Sequence, residues 1–409
     1  MTFNVANRQL LEMKISTAFS PAAPVNEYSL FAGRISQVRE IIAAINQRGQ
    51  HVVLFGERGV GKTSLANVLK DVLSVLYSGK SHIVSKTNCD VEDVYSSIWK
   101  KVFEQIRVFR PKRGTGFVAR ITAEPLDLVK LLGEKASPND VCRILQSLQP
   151  HALVIIDEFD RIRTPDTRTL LTDTIKTLSD YSVNATLILV GVADSVDELV
   201  KEHQSIDRAL VQVRLPRMSR EELNEIVNKG LQTIPMTITA DALEYISSLS
   251  QGLPHYMHLL AQRSAYKAVD SGREEIQKDD VNEAIKDALS KVQQSILSLY
   301  HRATMSARDT LYSQVLLACA LSKVDALGYF AAADVREPMS QIMGKRYDIP
   351  AFSRHLNDFC EQTRGPILQK IGTRRKFRFR FLNPLMQPYV IMQGLSSHLI
   401  DETLISKYE

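Results

Sequence analysis

The sequence predicts an α/β protein in which a parallel sheet is sandwiched by helices, followed by a helical lid domain and a C-terminal winged-helix domain. Three observations carry this reading. Between residues 51 and 215, short apolar runs alternate with amphipathic stretches, the pattern of a parallel sheet buried on both faces. From Ser219 the chain changes to short amphipathic helices, and near its end two extended runs, 365–372 and 377–383, flank a basic TRRK tip in the manner of a hairpin. The expected organisation is an N-terminal extension (1–25), a sheet domain (26–218), a lid (219–300), a winged helix (301–395) and a tail (396–409).

With 409 residues, 44% hydrophobic and 24% charged, the chain has the composition of a globular protein of two or three domains. It contains no run of eighteen apolar residues, and its first residues lack a basic flank leading into an apolar segment. A cytoplasmic protein with no membrane partner is expected. Cys89, Cys142, Cys319 and Cys360 show no metal-binding or disulfide spacing and read as reduced, mostly buried residues. The net charge of +5 permits an anionic partner without requiring one.

The strand expected at 51–55, HVVLF, runs into GERGVGKTS at 56–64, and helical spacing resumes from Thr63. Strand, glycine loop and helix in that order are the context that the P-loop pattern requires. Gly56 and Gly61 allow successive backbone N–H groups to face phosphate oxygens, and the helix start adds its positive end. Lys62 is placed to reach the β and γ phosphates, and the Thr63 hydroxyl to ligate magnesium. The candidate ATP-binding loop is therefore Gly56, Glu57, Arg58, Gly59, Val60, Gly61, Lys62, Thr63 and Ser64.

A second apolar strand, 152–156, ends in Asp157 and Glu158, at the carboxyl edge where ligands of open α/β sheets bind. Asp157 is the candidate second magnesium ligand and Glu158 the group that polarises the attacking water. Asp160 and Arg161 read as surface charges. Further strands are expected at 81–87, 186–192 and 211–215, and helices at 92–108 and 167–181. The basic segment 110–116 reads as a solvated loop or a nucleic-acid contact.

In the C-terminal part, 312–321, 334–343 and 349–362 are the expected three helices of the winged helix. Phe352, Leu356 and Phe359 fall on the buried side of the third, with Ser353, Arg354, Asn357 and Asp358 opposite. Arg and Asn on such a helix can pair with base edges in a major groove. Arg374, Arg375 and Lys376 form the wing tip; Arg378 and Arg380 alternate with Phe377, Phe379 and Phe381, which are expected to pack inward. Ser353, Arg354, Asn357, Arg374, Arg375, Lys376 and Arg378 are the candidate contacts to duplex DNA.

FAGR at 31–34, GERGVGKTS, IIDEFD, RLPRMS at 214–219, GLPHY at 252–256 and the terminal pattern occur in one order. That order resembles the AAA+ ATPases of the origin-recognition and cell-division-control initiator family, particularly bacterial relatives, over about residues 25–395. The resemblance implies that Phe31, Gly33 and Arg34 belong to a segment packing over adenine. It also implies that Arg208 serves as an arginine finger toward a neighbouring subunit. The chain departs from the family twice: Asp194 stands where a polar sensor such as Asn is usual, and His255 where many relatives carry a nucleotide-touching arginine. Slow hydrolysis follows if nothing substitutes.

The expected function is ATP binding and hydrolysis coupled to self-association and to duplex DNA. The same domain series also resembles P-loop switch proteins of the STAND type, in which ATP is a conformational signal and the client is an effector or operon partner, for example in transposition or phage defence.

Overall fold

The computed structural model describes residues 5–21, 24, 31–76, 82–113, 121–148, 150–192, 206, 208–291, 294–305, 311–373 and 376–408. The chain divides into two compact units. One comprises residues 34–56 and 62–215; the other comprises 1–33, 57–61 and 216–409.

The first of these is built on β1 (His51–Gly56), β2 (His82–Asn88), β3 (Val108–Arg113), β4 (Ile121–Leu126), β5 (His151–Asp157), β6 (Ala185–Val192) and β7 (Leu210–Leu215). Five of them form a parallel sheet in the order β2-β5-β6-β1-β7. Residues 152–156 and 187–190 are fully buried, as strands covered on both faces must be. The helices Lys62–Leu76, Tyr95–Glu104, Pro138–Ser147 and Pro165–Asp180 connect the strands. Trp99, Phe103 and Phe159 are among the largest fully buried side chains in this unit's core. Gly56 closes β1 against β7, where a Cβ would collide with the Leu215 carbonyl oxygen.

The basic stretch expected as a loop is instead partly strand. Residues 110–113 lie in β3, which pairs antiparallel with β4 from Val108↔Leu126 to Arg113↔Ile121; residues 114–116 fall outside the described chain. Pro111 and Pro125 inside these strands mask the β signal, and an isolated two-stranded ribbon tolerates them because each strand has a free edge.

The other unit has one continuous core. Helices Arg220–Gln232, Ala240–Ser250, Pro254–Asp270 and Lys278–Ser290 pack together, with the short parallel pair β8 (Thr237–Ile238) and β9 (Glu275–Ile276) at one edge. Ser219 and Glu222 form the expected capping box, the Ser219 hydroxyl accepting from the Glu222 N–H and the Glu222 carboxylate from the Ser219 N–H. Beyond them lie helices Tyr312–Ala320, Ala332–Met343 and Ser353–Asp358. A three-stranded antiparallel sheet follows, made of β10 (Phe330–Ala331), β11 (Leu368–Ile371) and β12 (Arg378–Phe381) in the order β10-β12-β11. The helix expected over 349–362 is broken into Ser353–Asp358 between two 3₁₀ turns, Ile349–Ala351 and Gln362–Arg364.

The N-terminal extension is integral to this core. Helix Val5–Ala18 contributes Leu11, Ile15 and Ala18, and Phe19 follows it, all buried. Gly230 is glycine because a Cβ there would meet the Phe19 ring. Among the described residues no helix is long and apolar enough to cross a membrane, and all four cysteines are free, three of them buried.

His51, fully buried at the start of β1, accepts the Leu187 N–H at Nδ1 (3.0 Å). Burial, then His151, lowers its pKa to about 3; burial, then His82, lowers that of His151 to about 4. The unfolded chain therefore binds more protons below the ordinary imidazole value, and stability falls as pH drops from about 6.5. Urea unfolding should show His51 alone contributing a loss of about 2 kcal/mol between pH 7 and 5. His51→Asn, whose amide oxygen can accept the same N–H, should flatten that part of the profile.

Candidate functional site

The phosphate loop begins where β1 ends. Gly59 (φ 88°) and Gly61 (φ 96°) hold left-handed backbone, a conformation that favours glycine. Space beside them is limited but not closed: a Cβ on Gly59 would touch Leu385 and Leu253, and one on Gly61 would touch Pro254, at ordinary van der Waals distances. Val60 is fully buried and Arg58 exposed. Lys62 starts the Lys62–Leu76 helix and donates from Nζ to the Gly56 carbonyl oxygen at 3.1 Å. Thr63 and Ser64 occupy the first turn, half-buried.

Strand β6 separates β5 from β1, and the carboxyl end of β5 carries Asp157 and Glu158. The Asp157 carboxylate is 3% exposed. Its Oδ1 accepts the Glu158 N–H at 2.9 Å, while Oδ2 has no hydrogen-bond partner among the described residues. The Lys86 ammonium lies 3.2 Å from Oδ2, an ion pair without hydrogen-bond geometry, and donates to Asn67 Oδ1 at 2.6 Å on the loop's own helix. A buried carboxylate oxygen with spare acceptor capacity, on a strand packed against the helix whose first turn carries Thr63, suits an oxygen-liganded cation such as magnesium. Lys86 was not legible from sequence, because a lysine near a strand end reads as solvated charge.

Glu158 has left-handed backbone (φ 57°) and is ion-paired with Arg161 at 3.0 Å. Asp160 Oδ1 accepts the Val192 N–H at 3.2 Å. The two residues read as idle surface charges are thus tied to the site: one to its acidic partner, the other to the end of β6. Asp194 lies outside the described residues.

Other candidates are dispersed. Arg34 is buried, in left-handed conformation (φ 63°) ahead of helix Ile35–Ile45. The Phe31 carbonyl accepts from Lys229 Nζ at 2.6 Å, and the Gly33 N–H donates to Glu225. Arg208 is exposed in the turn before β7. His255 is half-buried; its Nδ1 lies 2.8 Å from the Pro21 carbonyl oxygen, and burial lowers its pKa despite that contact.

In the C-terminal part, Phe352, Leu356 and Phe359 are buried, with Arg354 and Asn357 exposed and Ser353 half-exposed. Asp358, expected on the solvent face, accepts the Tyr312 hydroxyl at 2.6 Å. Lys376 and Arg378 are exposed, and Arg378 pairs with Asp325. Phe379 and Phe381 pack inward as expected, but Arg380 does not point freely to solvent: it donates to Gln369 at 2.8 Å and stacks on Tyr329. Arg374 and Arg375 lie outside the described residues.

A parallel sheet with a glycine loop leading into a helix, and acidic residues on a strand one removed, defines a P-loop nucleoside triphosphatase. Residues 22–317 match the family described as Novel STAND NTPase 1. The chain belongs to that family. Among solved structures, it is similar to the Walker-type ATPase of Pyrococcus abyssi, at 14% identity over 90% of this chain and 98% of that one, with a TM-score of 0.50. Cdc6p from Pyrobaculum aerophilum is 17% identical over 96% and 98%, with a TM-score of 0.46. The ORC2 protein of Aeropyrum pernix is 16% identical over 93% and 98%, with a TM-score of 0.49. At 14% identity the likeness to the Walker-type ATPase is one of fold. No curated protein sequence matches.

Replacing Lys86 by Met would leave the Asp157 carboxylate buried without its cation. Chemical unfolding of nucleotide-free protein should show a loss of about 2 kcal/mol. Lys86→Met with Asp157→Asn should recover most of it, since neither charge then remains.

Proposed function

We propose that the protein is an ATP-driven switch: it binds ATP with magnesium, hydrolyses it slowly, and uses the nucleotide state to control what its C-terminal part engages. The observation that carries this reading is the Asp157 carboxylate, whose buried Oδ2 is ion-paired to Lys86 but accepts no hydrogen bond among the described residues, on the same sheet as a P-loop whose Lys62 and Thr63 open a helix. Membership of an NTPase family of the STAND type supports the nucleotide class and the switch.

In this reading the loop N–H groups and Lys62 bind the polyphosphate and offset its charge. Thr63 and Asp157 would hold magnesium, which when bound neutralises charge building on the transferred phosphoryl group. Glu158 orients water for in-line attack, and its pairing with Arg161 holds the carboxylate away from that task until the pair opens. Slow turnover follows from this restraint. Phe31 and Arg34 line the base side, His255 belongs to the lid response, and exposed Arg208 is available to a second copy of the chain.

Lys62→Ala should weaken labelled ATP at least about tenfold, as expected for losing a charged contact to phosphate. Glu158→Gln should keep ATP affinity while lowering phosphate release about a hundredfold or more. Wild-type affinity in the Lys62 variant, or undiminished turnover in the Glu158 variant, would remove the site assignment.

For the client we read helices Tyr312–Ala320, Ala332–Met343 and Ser353–Asp358 with the β10-β12-β11 sheet as a winged helix that binds duplex DNA. The exposed face of Arg354 and Asn357, with Lys370 donating to Asn357 Oδ1 at 2.7 Å, favours it. The Arg354 side chain is 88% exposed, paired only loosely with Asp358 at 3.7 Å. Mobility shifts over a salt series test this: Arg354→Ala should lower the slope of log affinity against log salt by about one. Absence of any shift at low salt points instead to a protein effector as client.

A further inference from the structure

Glu57 places a carboxylate inside a loop proposed to hold a polyanion. Its side chain is 8% exposed, and such a charge repels phosphate unless a cation is fixed beside it. The cation is Arg217, whose Nε lies 2.7 Å from Oε2 and Nη2 2.8 Å from Oε1, a two-pronged pair. The remaining nitrogen, Nη1, donates to Gln387 Oε1 at 2.7 Å and to the Gln251 carbonyl oxygen at 3.1 Å. Gln387, 2% exposed on helix Met386–Ser396, is itself fixed by donating from Nε2 to the Ala320 carbonyl at 2.7 Å.

The surroundings admit little slack. A Cβ on Gly252 would stand 2.6 Å from Arg217 Cβ, and one on Gly328 2.6 Å from Glu57 Oε1; both glycines have positive φ. Lysine cannot replace this arrangement, because only the planar guanidinium serves two carboxylate oxygens and two further acceptors at once.

We infer that Arg217 is a positioning residue of the nucleotide site, neutralising and orienting Glu57 so that the loop accepts phosphate. Through Gln387 it makes the loop and helix Met386–Ser396 one mechanical element, so that nucleotide occupancy is felt in the C-terminal part. This rests on the nucleotide-binding reading above.

The test is titration of fluorescent ATP and ADP against the full chain in wild type, Arg217→Gln, Glu57→Gln and the double variant. In Arg217→Gln, ATP affinity should fall tenfold or more, and ADP affinity by a smaller factor because fewer phosphate charges meet the exposed carboxylate. The double variant should return to within about threefold of wild type. Equal losses for ATP and ADP, or a double variant as weak as Arg217→Gln, would overturn the neutralising role. Should Arg217→Gln not fold, the double variant, which buries no lone charge, and Arg217→Lys, which keeps the charge without the fork, provide the comparison. Double-variant affinity near wild type, with Arg217→Lys weaker, supports the role; affinity unchanged in both overturns it.

Amide exchange across residues 57–61 in nucleotide-free protein tests the mechanical link separately. Exchange at least threefold faster in Gln387→Ala supports it, and unchanged exchange overturns it. Wild-type protein that binds neither nucleotide would sink the proposed function, while the exchange result would still decide whether Arg217 and Gln387 restrain the loop.

Discussion

The missing side chain at Gly56 is the constraint on which the site depends. It allows the end of β1 to lie against the Leu215 carbonyl of β7, so the chain leaves the sheet at one fixed point and turns into the loop that opens helix Lys62–Leu76. The strand order then inserts β6 between β1 and β5 and sets Asp157 one strand away from the loop's origin. Backbone geometry thus separates the glycine loop from the acidic end of β5.

How much of this could be read from residues alone follows from burial. β1, β2, β5, β6 and β7 were expected within a residue or two of where they lie, because strands covered on both faces leave nearly unbroken apolar runs such as ALVII and TLILVGV. The β3–β4 ribbon has no such cover, and its prolines and basic residues masked it. Helix Val5–Ala18 was passed over as an extension because its sequence, with Arg8, Glu12 and Lys14 among Leu11 and Ile15, gives a weak apolar stripe until its partners are known. The third C-terminal helix was placed correctly by Phe352, Leu356 and Phe359 but drawn too long. It spans six residues, preceded by the 3₁₀ turn Ile349–Ala351, which holds Pro350, and followed by the turn Gln362–Arg364, which ends at Gly365.

The charged residues show the same divide. Lys62, Asp157 and Glu158 announce themselves by spacing along the chain. Lys86 and Arg217 do not, because each pairs with a carboxylate brought close by folding: 71 residues away for Lys86 with Asp157 and 160 for Arg217 with Glu57. Both set a cation against a buried carboxylate.

The seating of Phe19 against Gly230 has a practical corollary for anyone dividing this chain. A fragment begun at residue 26, the boundary expected between the extension and the sheet domain, discards the ring together with Leu11 and Ile15 and opens a greasy trough along helices Arg220–Gln232 and Pro254–Asp270. Exposed apolar surface of that kind draws molecules together. Clumping of a shortened protein would then report the lost helix rather than any native assembly.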